Sequence, residues 1–129
     1  MEIEISNISS DGRDPLIFGP PLWFSLHNGA VFYPKQPTID DKTKMFNLLT
    51  SFSILIPCTD CKYHYKLFLS RTEKELRLAL TDRDKLFEYT VRLHNYVNNR
   101  LNKPLMDLSL AKDLYGFYDR RANISIRYR

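Results

Sequence analysis

Apolar side chains recur every three or four residues along several stretches of this chain, which is the spacing of one face of an α-helix. The first such face is formed by Leu22, Trp23, Leu26, Ala30 and Val31. Because proline is tolerated in the first turn of a helix, the pattern predicts a helix that begins after Pro20-Pro21 and ends at Pro34.

A second apolar face of the same period follows. It is formed by Met45, Leu48, Leu49, Phe52, Leu55 and Ile56. Thr38 lies before it as an N-cap, and two acidic residues follow in the first turn, where the helix dipole favours negative charge. Pro57 ends this helix. A third helix is predicted to begin at Cys58 or Thr59 and to run to about Leu69.

The second half of the chain predicts three further helices. Thr72 and Glu75 have the spacing of a capping box, which predicts a short helix there. The longest candidate covers 81–104 and is stopped by its terminal Lys-Pro, and a short helix within 107–119 is closed by Gly116. Four main helices with short, proline-marked links indicate an all-α fold: a four-helix bundle with an additional short C-terminal helix.

Length and composition fit one helical domain. The 129 residues are 43% hydrophobic and include only four glycines. We expect a flexible N-terminal arm over 1–15, a domain over 16–119 and a basic C-terminal tail over 120–129. The arm is acidic and lacks the apolar region of a signal peptide, and no apolar run is long enough for a membrane span. The chain is therefore expected to carry no targeting signal.

The net charge is +4, and the excess of cations lies in the second half of the chain. Lysine and arginine are interspersed there with aspartate and glutamate, which favours a solvated helical surface over a nucleic-acid interface. A basic half also suits the anionic tail of a cofactor.

Cys58 and Cys61 are the only cysteines. At the start of a helix, residues three apart are close enough for a disulfide, and the helix N-terminus favours the thiolate, so the pair suits dithiol–disulfide exchange. Two alternatives stay open: a pair of buried inert thiols, or a zinc site that includes His64 in C-x-x-C-x-x-H. Structural zinc needs four ligands, and His27 and His94 lie on other predicted helices, so no metal is expected. A thioredoxin-like domain is disfavoured because a helix, not a strand, precedes the motif.

Polar residues lie close to the apolar faces of two predicted helices. Trp23 and His27 are four residues apart, as are His94 and Asn98. A core helix normally avoids such groups, because each buried polar group needs a partner. Either histidine alone is more simply a core or surface residue. Together with the cysteine pair, they indicate one helix-walled cavity that suits a flat aromatic cofactor.

Four sequence elements, taken in order, carry a resemblance to a known family. They are Trp23 with His27, Tyr33-Pro34 before Pro37-Thr38, Pro57-Cys58-x-x-Cys61 with His64, and "LHNYVNNRLNKP". In this order they resemble the FAD-linked sulfhydryl oxidases of the Erv/ALR type. The resemblance implies a helical bundle that binds FAD within it and pairs as a homodimer. It also implies a thiol:oxygen oxidoreductase, which oxidises dithiols to disulfides and gives hydrogen peroxide from O₂.

The resemblance also implies roles for individual residues. Cys61 would lie against the flavin, and Cys58 would be the sulfur that the substrate attacks. Cofactor contacts are implied for Gly19, Trp23, His27, Tyr33, Cys61, His94, Asn95, Val97, Asn98, Leu101, Lys103 and Tyr115. Electrons would come from a thiol-containing protein substrate or a thioredoxin-like electron donor.

Three departures from the family pattern are visible. The arm and the tail hold no further cysteine pair to relay electrons. Val91 and Leu108 stand where many members place a structural disulfide, so we expect a hydrophobic contact there. Pro20 replaces a basic residue. Short members of this kind occur in large DNA viruses, which favours a viral enzyme of the host cytoplasm or the virion; the alternative is a redox-inactive or zinc-binding helical interaction module with the same fold.

Overall fold

The computed structural model describes residues 12–116, which form six α-helices. The helices are α1, Pro15–Val31; α2, Ile39–Ser51; α3, Thr59–Arg71; α4, Glu73–Ala79; α5, Arg83–Arg100; and α6, Leu108–Tyr115. No residue of 12–116 is in a strand, so the all-α prediction is confirmed. No helix in this range has both the length and the hydropathy needed to cross a bilayer. The expected tail over 120–129 lies outside the described residues, as does the expected arm apart from 12–15.

Helix α1 begins earlier than predicted, at Pro15 rather than after Pro20-Pro21. The Asp14 carboxylate caps it by accepting a hydrogen bond from the Leu16 amide at 2.9 Å. The internal prolines lack N–H groups, so the carbonyls of Leu16 and Ile17 lose their usual helical donors. Both of these residues are exposed, so water can satisfy the two carbonyls and the helix continues through the prolines.

Helices α2 and α3 begin where the sequence predicts. The Thr38 hydroxyl accepts a hydrogen bond from the Asp41 amide at 3.0 Å, and the Asp41 carboxylate accepts one from the Thr38 amide at 2.9 Å. The apolar stripe of α2 continues past its end as a 3₁₀ turn, Phe52–Leu55, which leads to Pro57. Cys58 is then the N-cap of α3.

The predicted capping box at Thr72 and Glu75 is wrong. Helix α4 does begin at Glu73, but the Thr72 side chain makes no capping hydrogen bond to it. The Thr72 hydroxyl donates instead to the Phe68 carbonyl at 2.7 Å and is 2.8 Å from the Tyr89 hydroxyl. Because Thr72 directly follows α3, its side chain serves the end of that helix and ties it to α5.

Helix α5 is the centre of the fold and packs against α1, α3, α4 and α6. Its Leu86 and Leu93 are 1% and 0% exposed, and Leu76 of α4 is 0% exposed. Burying a leucine side chain contributes about 1.5–3 kcal/mol. The inner face of α5 therefore positions α1, α3, α4 and α6 relative to one another.

Helix α5 ends at Arg100, shortly before the predicted stop at Lys103-Pro104. Asn102 has a φ of 56°, in the left-handed region that asparagine adopts more readily than most residues. The Lys103 amide then donates to the Asn98 carbonyl at 2.8 Å. This turn brings Lys103 back beside the last turn of α5.

Candidate active site

A cavity of about 280 Å³ lies between α1, α3, α5 and α6, a volume near the lower end of the range for small-molecule sites. Most of the residues expected to contact a cofactor line it. They are Gly19, Trp23, Cys61, His94, Val97, Asn98, Leu101, Lys103 and Tyr115. The sequence-based prediction of a helix-walled cavity beside the cysteine pair is therefore confirmed.

The apolar walls of the cavity include residues that sequence reasoning did not assign to the site. These are Pro15, Phe18, Pro20, Leu22, Leu26, Phe52, Ile56 and Tyr65. Phe18, Leu22 and Leu26 are spaced four apart, so they share one face of α1. Phe18 was not assigned to the site because the predicted helix begins after Pro21, whereas α1 begins at Pro15 and includes Phe18.

The cysteine pair lies where α3 meets this cavity. Cys58 is the N-cap of α3, and its sulfur accepts a hydrogen bond from the Cys61 amide at 3.3 Å. Both residues are half-buried. Cys61 lines the cavity and Cys58 does not, so the pair has one sulfur at the cavity wall and one outside it.

Burial changes the acidity of Cys61. Loss of solvation raises the pKa of its thiol to about 12, with further contributions from the neighbouring Cys58 and from Asp60. A backbone amide at the start of α3 lowers this pKa, as expected for a helix N-terminus, but burial has the larger effect at Cys61. In the dithiol form, Cys61 keeps its proton at neutral pH.

Aromatic rings stack at the wall that α1 and α5 share. The Trp23 and His94 rings have centroids 4.0 Å apart and planes 7° apart. The His27 ring lies behind them, with its centroid 5.1 Å from that of His94 and 4.6 Å from that of Tyr115. His27 is 0% exposed and does not line the cavity, so it supports the rings that do.

Hydrogen bonds hold both histidines of this wall. His27 Nδ1 is 3.0 Å from Thr90 Oγ1, and His27 Nε2 is 2.9 Å from His94 Nδ1. Loss of solvation, with a smaller contribution from His94, lowers the pKa of His27 to about 3. Loss of solvation and then the charge of Lys103 lower the pKa of His94 to about 4. Both rings are therefore neutral at pH 7.

A small set of polar groups borders the otherwise apolar cavity. Asn98 is buried, and Lys103 is close enough for its charge to act on His94. Apolar walls with a few placed polar groups are typical of cofactor sites. Stacked rings together with a lysine suit a ligand that is both aromatic and anionic, which describes a flavin nucleotide.

Tyr33 and Asn95, which were also expected to contact a cofactor, do not line the cavity. The Tyr33 hydroxyl donates to the Leu80 carbonyl at 2.7 Å, and the residue is 3% exposed. The Asn95 side chain donates to the Met106 carbonyl at 2.8 Å and accepts from the Met106 amide at 2.6 Å. Tyr33 thus holds the link between α4 and α5, and Asn95 holds the link between α5 and α6.

His64, the possible third ligand of a zinc site, binds other side chains. Its Nε2 accepts a hydrogen bond from the Arg100 guanidinium at 2.6 Å and lies 3.5 Å from an Asp60 carboxylate oxygen. Among residues 12–116, no group of three histidine, cysteine or acidic side chains is placed to hold a metal ion. His64 instead ties α3 to the end of α5.

The chain is similar to a known protein family, to viral proteins and to a solved structure. Residues 20–116 match the profile of the Erv1/Alr family. The 096R protein of Invertebrate iridescent virus 3 is 34% identical over 105 residues, which are 81% of this chain and 68% of that protein. An FAD-linked sulfhydryl oxidase of African swine fever virus is 32% identical over 100 residues, 78% of this chain and 81% of the viral protein. The crystal structure of the yeast Erv1 core aligns with a TM-score of 0.72 at 28% identity, covering 83% of this chain and 87% of the yeast chain.

Proposed function

This chain belongs to the Erv1/Alr family and is an FAD-linked thiol oxidase, and from that premise we propose that Cys58 and Cys61 are its redox-active pair, with FAD in the adjoining cavity. One observation carries the proposal: the Cys61 amide donates a hydrogen bond to the Cys58 sulfur, and Cys61 also lines the cavity. When a substrate reduces a Cys58–Cys61 disulfide by attack at Cys58, the electrons therefore arrive at Cys61, which lies at the cavity wall.

The residues present fit an FAD ligand. Trp23 and Tyr115 offer aromatic surface at the cavity wall, and aromatic rings stack well on flat ring systems. Lys103 would supply positive charge for the pyrophosphate, and Asn98 would supply a polar group against the apolar walls. A bound flavin would supply the two-electron chemistry that the side chains lack, with O₂ as the electron acceptor and hydrogen peroxide as the product.

The two cysteines divide the exchange chemistry between them. A substrate thiolate attacks the Cys58 sulfur of the Cys58–Cys61 disulfide, which forms a mixed disulfide and releases the Cys61 sulfur towards the cavity. A second substrate thiolate then attacks the substrate's own sulfur, so the substrate leaves as a disulfide and Cys58 is released. Cys58 raises the pKa of Cys61 in the dithiol form. Burial, the larger cause of the raised pKa, persists while Cys58 is in a mixed disulfide.

The substrate we propose is a thiol-containing protein or a thioredoxin-like electron donor. Ile54 and Leu55, adjacent residues just before the motif, are 80% and 59% exposed, and contiguous exposed apolar surface is typical of sites that bind other proteins. We further propose a homodimer, as the family resemblance implies. The viral relatives support a viral enzyme, and we propose that it works in the host cytoplasm or the virion.

The test is an absorption spectrum followed by oxygen uptake with a dithiol. We expect a flavin band that survives desalting, and uptake accompanied by hydrogen peroxide in a peroxidase-coupled assay. Cys61→Ser should keep the flavin band and lose oxygen uptake, whereas Thr59→Ser, in the same turn of α3, should retain both. Uptake at the parent rate in Cys61→Ser would refute the assignment of the redox pair.

A further inference from the structure

A continuous chain of hydrogen bonds runs from the backbone of α5 to the cavity. The Thr90 hydroxyl donates to the Phe87 carbonyl at 2.7 Å. Thr90 Oγ1 is also 3.0 Å from His27 Nδ1, and His27 Nε2 is 2.9 Å from His94 Nδ1. Because His94 lines the cavity, this chain links a backbone carbonyl to a side chain that meets the ligand.

Each hydrogen bond in this chain sets the direction of the next. A carbonyl oxygen only accepts, so the single hydroxyl proton of Thr90 points to Phe87, and Thr90 Oγ1 accepts from His27. His27 Nδ1 therefore carries a proton. A neutral imidazole has one protonated nitrogen, so His27 Nε2 is an acceptor and His94 Nδ1 donates to it. It follows that His94 Nε2 carries no proton.

The surroundings keep both histidines neutral, as this order of protons requires. Thr90 and His27 are 0% exposed. Burial lowers the pKa of each ring. A positive charge on a neighbour lowers it further: His94 acts on His27, and Lys103 acts on His94. The Trp23 and Phe87 rings that pack on the two histidines are not titratable, and Tyr115 packs on His27 with its ring centroid at 4.6 Å.

We propose that Thr90 is a positioning residue, which acts through His27 to present His94 Nε2 to the cavity as a hydrogen-bond acceptor. No group of residues 12–116 donates a hydrogen bond to this nitrogen. The cavity therefore selects a ligand with an N–H or O–H donor at that point, and a flavin nucleotide has such donors on its ring systems and its sugar hydroxyls. The identity of the ligand rests on the proposed function, whereas the order of protons depends on this chain alone.

The order of protons is tested first on the unaltered protein as purified. Nitrogen-15 NMR of histidine-labelled protein reports which ring nitrogen of each imidazole carries the proton, and His94→Gln identifies the His94 signals. We expect a proton on Nδ1 and none on Nε2 for both His27 and His94. A proton on His94 Nε2 at neutral pH would overturn the proposal, even if the protein binds FAD and oxidises dithiols as proposed.

Two substitutions then test the role of Thr90 in ligand binding. Thr90→Val keeps the shape of the side chain and removes the oxygen, so His27 Nδ1 loses its acceptor and the chain of protons reverses. We expect the Kd for FAD to rise about tenfold, because the reversed chain places a donor of the ligand against a protonated His94 Nε2 and leaves that donor without an acceptor. Thr90→Ser retains the hydroxyl and is expected to stay within about twofold of the parent protein.

A matched control separates this effect from the general cost of removing a helical threonine. On α2, the Thr50 hydroxyl donates to the Phe46 carbonyl at 2.9 Å and lies 3.3 Å from the Asn47 carbonyl, so Thr50→Val removes a helical hydroxyl outside the chain of protons and should leave the Kd unchanged. A parent-like Kd in Thr90→Val, or an equal loss of affinity in Thr90→Ser, would overturn the role given to the Thr90 hydroxyl. If Thr90→Val does not fold, the NMR measurement on the unaltered protein decides between the two orders of protons.

Discussion

Asn95 clamps the link between α5 and α6, and removing its side chain is expected to loosen both the fold and the cavity. In Asn95→Ala, the Met106 carbonyl and amide each lose a hydrogen-bond partner. The same link carries Leu101 and Lys103, which line the cavity. We therefore expect lower stability and weaker FAD binding from a residue that does not itself line the cavity.

The expected size follows from the two bonds. A hydrogen bond between neutral groups contributes a net ~0.5–1.5 kcal/mol, so the loss of two costs about 2 kcal/mol. For a domain of this size, 1 kcal/mol corresponds to about 4 °C in Tm, which predicts a fall of about 8 °C. Asn95→Asp keeps the acceptor for the Met106 amide but turns an oxygen towards the Met106 carbonyl, so it should cost at least about 1 kcal/mol.

Urea unfolding followed by circular dichroism measures the free energy of unfolding, and flavin fluorescence on titration measures the Kd for FAD. Asn99→Ala is the matched control, because Asn99 is an exposed asparagine on the same helix, and its effect should stay within about 0.5 kcal/mol. If Asn95→Ala unfolds within about 0.5 kcal/mol of the parent protein, the clamp does not stabilise the fold and the reasoning fails.

Three further predictions concern other parts of the structure. Val91→Ala and Leu108→Ala are expected to lower the Tm without changing turnover per bound flavin, because Val91 is buried in the core and Leu108 packs against it; an unchanged Tm in both variants would contradict the hydrophobic contact expected between them. Tyr33→Phe removes a buried hydrogen bond and is expected to cost about 1 kcal/mol while leaving the Kd for FAD within about twofold, and a large loss of flavin at unchanged stability would show instead that Tyr33 contacts the cofactor. Burial lowers the pKa of His27 and His94 from 6.5 to about 3 and about 4, so below about pH 6.5 the unfolded chain binds more protons than the folded one. Stability should therefore be full above about pH 6.5 and fall towards about pH 4, by up to ~1.4 kcal/mol per pH unit for each histidine. Urea unfolding from about pH 7.5 to about pH 5 checks the sign, and an equally steep fall in His94→Gln would count against this cause.

The starts of α2 and α3 could be predicted from the sequence, because each depends only on residues next to it in the chain. The cap at Thr38 needs only Asp41, three residues on, and the start of α3 needs only the Pro57-Cys58 pair. Local signals of this kind fail where a residue has two possible local partners. Thr72 could cap the helix that follows or close the helix that precedes it, and contact with Tyr89 of α5 favours the second.

In the site too, residues set by local spacing could be predicted, whereas residues with distant partners could not. Residues that line the cavity at helical spacing, such as Trp23 and Asn98, could be predicted from the sequence together with the family resemblance. Asn95 lies in the sequence between His94 and Val97, which line the cavity, but its side chain faces the link to α6. The position of its partner, Met106, depends on the turn after α5, which no local pattern specifies. Tyr33 likewise meets a carbonyl 47 residues away, a contact that no local pattern specifies.

The cavity is built from residues that span the described chain, from Pro15 at the start of α1 to Tyr115 at the end of α6. It exists only when α1, α3, α5 and α6 are all in place, so a ligand that fills it binds the folded protein and not the unfolded chain. At a hundred times its Kd, such a ligand adds about 2.7 kcal/mol to the free energy of unfolding. That is a large part of the ~5–15 kcal/mol that stabilises a typical domain. The supply of flavin in the cell would then govern how much of this protein escapes proteolysis, as well as how much of it is active.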